Sequence, residues 1–149
     1  MSLTPALQAS TEVCVRAQTE LFGEGRAELA DELVTPGCVD HTAPADIPAG
    51  PEGIKAVVGW LHRTFSDLHY EVDDAFGADD RVAIRCTVTG VHSGELAGRP
   101  PTGRRFEAMQ IHIYRLENGR IAEHWGARND LTMLMQLGLL GGEEPGHVS

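Results

Sequence analysis

Two short stretches carry the residue types that move protons. Gln110, His112 and Tyr114 alternate along one segment, and His124, Gly126 and Arg128 alternate along the next. An imidazole titrates near neutrality, so His112 can shuttle a proton or hydrogen-bond an enolate oxygen. His124 can orient His112 or polarise a carbonyl, and Arg128 offers a fixed cation to a developing oxyanion. Asp130, two residues further on, is a candidate carboxylate, although its place before the last helix also suits an N-cap. A metal centre of two histidines and one carboxylate was weighed. It is not expected, because no Asp or Glu falls on the histidines' face.

The turn Leu116-Glu117-Asn118-Gly119-Arg120 decides which of these side chains meet. A two-residue Asn-Gly loop would set His112 opposite Trp125, and a three-residue Glu-Asn-Gly loop would set it opposite His124. The three-residue loop sorts the faces better and is the one expected. Gln110, His112, Tyr114, His124, Gly126 and Arg128 then share one side, and Met109, Ile111, Ile113, Ile121, Trp125 and Ala127 share the other. Five polar groups gathered on one face point to a pocket with a polar floor.

The elements that must position this floor follow from periodicity. Thr4-Pro5 opens a helix that ends at Gly23 or Gly25, and a second helix fits Arg26 to Val34. Cys38 to Gly50 is expected to be irregular. Pro51 opens a third helix whose stripe of Ile54, Val57, Val58, Leu61 and Phe65 needs a sheet to cover it. Strands are predicted at Tyr70 to Phe76, Arg81 to His92, Arg104 to Arg115 and Ile121 to Arg128. A short helix starting near Asn129 or Asp130 follows, and 141–149 is expected to be a frayed tail. The outcome is one α+β domain over residues 1–140, with helices packed on a mostly antiparallel sheet. Trp60, Phe65 and Tyr114 are candidate pocket walls, His41 a lid or pocket residue, and His92 a further pocket candidate in its Gly-x-His-x-Gly context.

Composition narrows the partners. With 12 Lys and Arg against 22 Asp and Glu, the chain carries a net charge of -10. That balance repels phosphate backbones and anionic membranes, so neither nucleic acid nor a membrane is expected as partner. A small apolar or aromatic ligand is. The odd cysteines Cys14, Cys38 and Cys86 form no CxxC pair and suit reduced thiols in a cytoplasmic protein. The apolar side of the last two strands is a patch that a monomer rarely leaves in water, so a homodimer is expected.

Order and spacing along nearly the whole chain resemble one family. Gly50-Pro51-Glu52, Thr64-Phe65, Gly90-Val91-His92-Ser93-Gly94 and Pro101-Thr102-Gly103-Arg104 are followed by Phe106, Gln110-Ile111-His112, Gly119-Arg120-Ile121 and Gln136-Leu137-Gly138. Together they are similar to the SnoaL-like polyketide cyclases, which share the cone-shaped, nuclear-transport-factor-2-like α+β barrel. The resemblance implies a cofactor-free intramolecular aldol closure, with a carboxylate as acid/base beside a Gln and a His. Gln110 and His112 match the latter two. The position of the family's catalytic aspartate falls on Gly126, a departure that leaves two other functions in play. One is hydroxylation of an anthracycline-type polyketide, as proposed for members with an altered pocket, and the other is binding of an apolar ligand without chemistry.

Overall fold

The computed structural model describes residues 4–140. Thr4 caps the first helix, α1 (Pro5–Arg16), by accepting the Leu7 amide through its hydroxyl at 3.1 Å, with Pro5 in the first turn. The helix then widens into a π-helical segment, Ala17–Gly23, whose side chains Ala17, Gln18, Leu21 and Phe22 are all buried. The second helix, α2 (Leu29–Leu33), is shorter than predicted, because Val34 already belongs to a strand.

That strand, β1 (Val34–Asp40), is the chief departure from the expected layout, which left Cys38 to His41 irregular. It runs parallel to the last strand, with Asp40 beside His124. Gly50 closes the loop that follows. Its φ is 83°, its amide donates to the Cys38 carbonyl at 2.8 Å, and a Cβ there would stand 2.3 Å from the Pro36 carbonyl oxygen. Only glycine fits so close a backbone approach, and this anchors the start of α3 (Pro51–Thr64) against β1.

The rest of the sheet is a meander: β2 (Phe65–Ala78), β3 (Arg81–His92), β4 (Arg105–Glu117) and β5 (Arg120–Arg128). The order across the sheet is β1-β5-β4-β3-β2, mixed and not closed. The period-two pattern separates the faces cleanly: Val82, Ile84, Cys86 and Val88 of β3 are buried with Phe106, Ala108, Gln110, His112, Tyr114 and Leu116 of β4. Met109, Ile111 and Ile113 point the other way and are exposed. The last helix, α4 (Asp130–Gln136), is capped by the Asn129 side chain, so Asp130 is its first residue and not its cap. The predicted tail at 141–149 lies outside the described residues. No helix among the described residues is long and apolar enough to cross a membrane.

The β4–β5 register matches neither alternative read from the turn. Asn118 and Gly119 both have positive φ and make a two-residue loop with Glu117 opposite Arg120, the conformation that Asn-Gly favours. One residue later Ala122 is inserted as a bulge, and the register moves: Leu116 faces Ile121, but Arg115 faces Glu123. His112 therefore stands opposite Gly126, and His124 opposite Tyr114. The side-chain parity of the expected register survives. Ile121 does not stay on the apolar outer face, however; the bulge turns it into the core.

Candidate active site

A pocket of about 290 Å³ opens between the sheet, α3 and α4. Val57, Trp60 and Leu61 of α3 face Phe65, Leu68 and Tyr70 of β2 and Phe106 of β4 across it. Its polar floor is Gln110, His112, His124 and Asp40, with Arg128 and Asp130 at the mouth.

The floor is one hydrogen-bonded row. Gln110 Oε1 meets His112 Nε2 at 2.8 Å, His112 Nδ1 meets His124 Nε2 at 2.8 Å, and His124 Nδ1 meets Asp40 Oδ1 at 3.0 Å. The two imidazoles are diagonal neighbours on adjacent strands, their rings 5.1 Å apart and nearly parallel. All four side chains are buried or nearly so, His112 to 5% and His124 to 6% residual exposure.

Hydrogen-bond direction assigns the protons. A carboxylate only accepts, so His124 Nδ1 carries a hydrogen. The Gln110 amide closes the other end of the row at His112 Nε2. The contact between the two rings takes one further hydrogen, between His112 Nδ1 and His124 Nε2. Burial, then the charges of His124 and Arg128, push the His112 pKa down to about 3, so this ring is neutral. Burial alone would raise the Asp40 carboxyl; the bonds from His124 and Thr42 outweigh it and hold the pKa down to about 2.

Asp40 is a carboxylate on this face where the strand pattern of β4 and β5 predicts none. It arrives from β1, and Thr42 locks it: the Thr42 amide and hydroxyl donate to the same Asp40 Oδ1 at 2.9 and 2.6 Å. Gln18 and Tyr70 also line the pocket unpredicted. The π turn points Gln18 inward, and Tyr114 donates its hydroxyl to Gln18 Oε1 at 2.6 Å.

The other candidates divide. Trp60 and Phe65 are pocket walls, and Arg128 meets Asp130 at 3.4 Å in a half-exposed ion pair. Tyr114 lies behind the floor, stacked on His124 at 4.7 Å between ring centres, and does not line this pocket. His41, the residue after β1, lies away from the pocket, where it stacks on Trp125 and pairs with Glu123 at 2.8 Å. His92 is fully buried behind Phe65, with Nδ1 accepting the Thr102 amide at 3.1 Å, and takes no part in the pocket. Among the described residues no cluster of His, Cys, Asp and Glu is arranged to hold a metal ion. The three thiols are buried and free, their pKa values pushed up to about 12, mainly by burial.

The family model of SnoaL-like polyketide cyclases matches residues 12–137. The chain belongs to that family. Aklanonic acid methyl ester cyclase DnrD of Streptomyces peucetius is 32% identical over 136 residues, covering 87% of this chain and 92% of that protein. Nogalonic acid methyl ester cyclase of Streptomyces nogalater is 34% identical over 122 residues, covering 78% and 89%. The solved structure of TsrD from Streptomyces laurentii superposes with a TM-score of 0.79 at 28% identity, over 93% of this chain and all of that one.

For a SnoaL-like cyclase the floor has an unusual neighbour. Gly126, directly opposite His112, falls where the resemblance puts an aspartate. A Cβ on Gly126 would meet His112 Nδ1 at 3.0 Å and the Thr42 methyl at 3.1 Å. Thr42, in the turn after β1, and His112 of β4 crowd the position.

Proposed function

We propose that this SnoaL-like cyclase closes a ring in a fused-ring polyketide methyl ester by intramolecular aldol addition. The observation that carries the reading is the buried Gln110–His112–His124 row, set on the floor of a pocket whose walls from α3 and β2 are mostly apolar. Removing a proton next to a carbonyl makes an enolate, whose charge sits on oxygen. Fixed donors in a site shielded from water stabilise that charge without reorganising. Arg128 stands at the mouth, where its cation can offset such charge. Apolar walls from α3 and β2 suit a planar aromatic body. The relatives named for aklanonic and nogalonic acid methyl esters supply the substrate class.

The chemistry is a rearrangement of bonds within one molecule, so oxygen has no role in it. Aklanonic acid methyl ester and nogalonic acid methyl ester should each be converted to a ring-closed isomer at equal rates under air and under nitrogen. His112→Ala should lower kcat by roughly 100-fold or more. Turnover that stops under nitrogen would indicate hydroxylation instead. Tight binding of both esters with no turnover would indicate a carrier.

A further inference from the structure

We propose that Asp40 is the general base of this site, its Oδ2 taking the substrate's α-hydrogen in place of the carboxylate that Gly126 cannot supply. The inference rests on the cyclisation proposed above and names the group that starts it.

Three observations converge on Asp40. It ends β1 beside His124 and lines the pocket, with a side chain only 8% exposed. All three of its hydrogen bonds, from His124 Nδ1, the Thr42 amide and the Thr42 hydroxyl, fall on Oδ1. Oδ2 has none. Among the described residues the fully enclosed side-chain atom without a partner is His92 Nε2, so Asp40 Oδ2 is not sealed in, and Asp40 is one of the residues that line the pocket. The carboxylate is thus held by one oxygen and offers the lone pairs of the other. No imidazole nitrogen on the floor is similarly free, since all four are engaged.

The position at Gly126 supports the exchange of one carboxylate for another. The Thr42 methyl and His112 occupy the volume that a side chain there would need, and the same Thr42 fixes Asp40. The end of β1 and the turn after it therefore bring the replacement carboxylate and crowd the old position.

The strength of the base defines the substrate. A carboxylate held low on the pH scale by its bonds from His124 and Thr42 is ionised at neutrality but basic only toward an acidic carbon. The hydrogen removed must therefore sit between two carbonyls, as in a β-keto ester. In the step, Asp40 Oδ2 takes the proton and the C–H electron pair forms the new C–C bond to the ketone carbon. The C=O pair moves to oxygen, which takes the proton back from Asp40 Oδ2 and so regenerates the carboxylate. Nothing is oxidised or reduced, and the product is an isomer of the substrate.

The test follows hydrogen exchange as well as ring closure. The wild-type chain and Asp40→Asn are incubated with aklanonic acid methyl ester in D2O, and deuterium at the α-carbon is measured above the enzyme-free rate. Asn keeps an oxygen for His124 and Thr42, so the fold, checked by near-ultraviolet circular dichroism, should persist. Exchange and closure should both fall by about 100- to 10,000-fold, with KM changed less than about threefold. In Asp40→Ala, added formate should restore part of the exchange. Either variant, folded and exchanging at the wild-type rate, overturns the assignment. A wild-type chain that exchanges the hydrogen without closing the ring overturns the cyclisation and leaves the base standing; one that does neither overturns both.

Discussion

Thr42, just after β1, and Gly126 of β5 pack against each other, the Thr42 methyl lying 3.1 Å from where a Cβ on Gly126 would begin. A side chain at 126 must therefore push aside the Thr42 or the His112 side chain. Gly126→Asp should lower stability by about 1–3 kcal/mol, as overpacked positions do. For a domain of this size that is roughly 2–12 °C in melting temperature. Thr42→Ser removes the methyl and keeps the hydroxyl, so adding it to Gly126→Asp should recover most of the loss. Melting curves of the two variants check this. A Gly126→Asp chain that melts at the wild-type temperature would mean that the gap between Thr42 and Gly126 adapts freely.

Acid should unfold the protein from the histidine side first. The His112 pKa is depressed from 6.5 to about 3, so between those values the unfolded chain binds a proton that the folded chain does not. Stability then falls as the pH drops from about 6.5 toward 3. Asp40, depressed from 3.8 to about 2, adds a second loss only in that lower window. His112→Asn removes the titrating ring. Its melting temperature should be flatter than wild type between about pH 6.5 and 4, while the steeper fall below that remains. Equal slopes in the two proteins would show that His112 is not buried neutral.

Much of this arrangement was written in the alternation of β4 and β5. Gln110, His112 and His124 declared a common face because a strand has a period of two, and Asn118-Gly119 declared the turn. The bulge did not declare itself, since Ile121 and Ala122 are both apolar and either could point inward. β1 was hidden for a different reason. Thr35-Pro36-Gly37 has the composition of a loop, and its strand identity comes only from pairing with β5, more than 80 residues later. Asp40 was lost with it. The neighbouring His41 attracted notice by its residue type, yet one step along the chain is the difference between the floor of the pocket and the outer surface.

The outer face of the sheet carries its own expectation. Met109, Ile111 and Ile113 are 45%, 42% and 39% exposed, and across from them on β5 lie Trp125 and Ala127. We propose a homodimer packed through this face, as apolar surface of this kind rarely stays in water. Light scattering at micromolar concentration should give twice the monomer mass. Ile111→Lys, at the centre of the stripe, should give the monomer with its melting temperature little changed. A wild-type monomer would set the proposal aside.

Behind the floor, Gln18 and Tyr114 form a pair that should behave as a unit. Both are buried, to 2% and 1% exposure, and the Tyr114 hydroxyl donates to Gln18 Oε1 at 2.6 Å. Removing either partner strands the other's polar atom away from water, which costs about 1–3 kcal/mol. Tyr114→Phe keeps the ring that stacks on His124, so its loss should be the hydrogen bond and little else. Gln18→Met keeps the volume in the π turn but leaves the phenol hydroxyl without its acceptor. Removing both groups together leaves nothing stranded. The double variant should therefore be destabilised by less than the sum of the single losses, with a coupling of roughly 0.5–3 kcal/mol in a denaturant double-mutant cycle. Strict additivity would mean that each side chain finds another partner when the first is gone, and that the π turn does not depend on β4 to hold Gln18 in place.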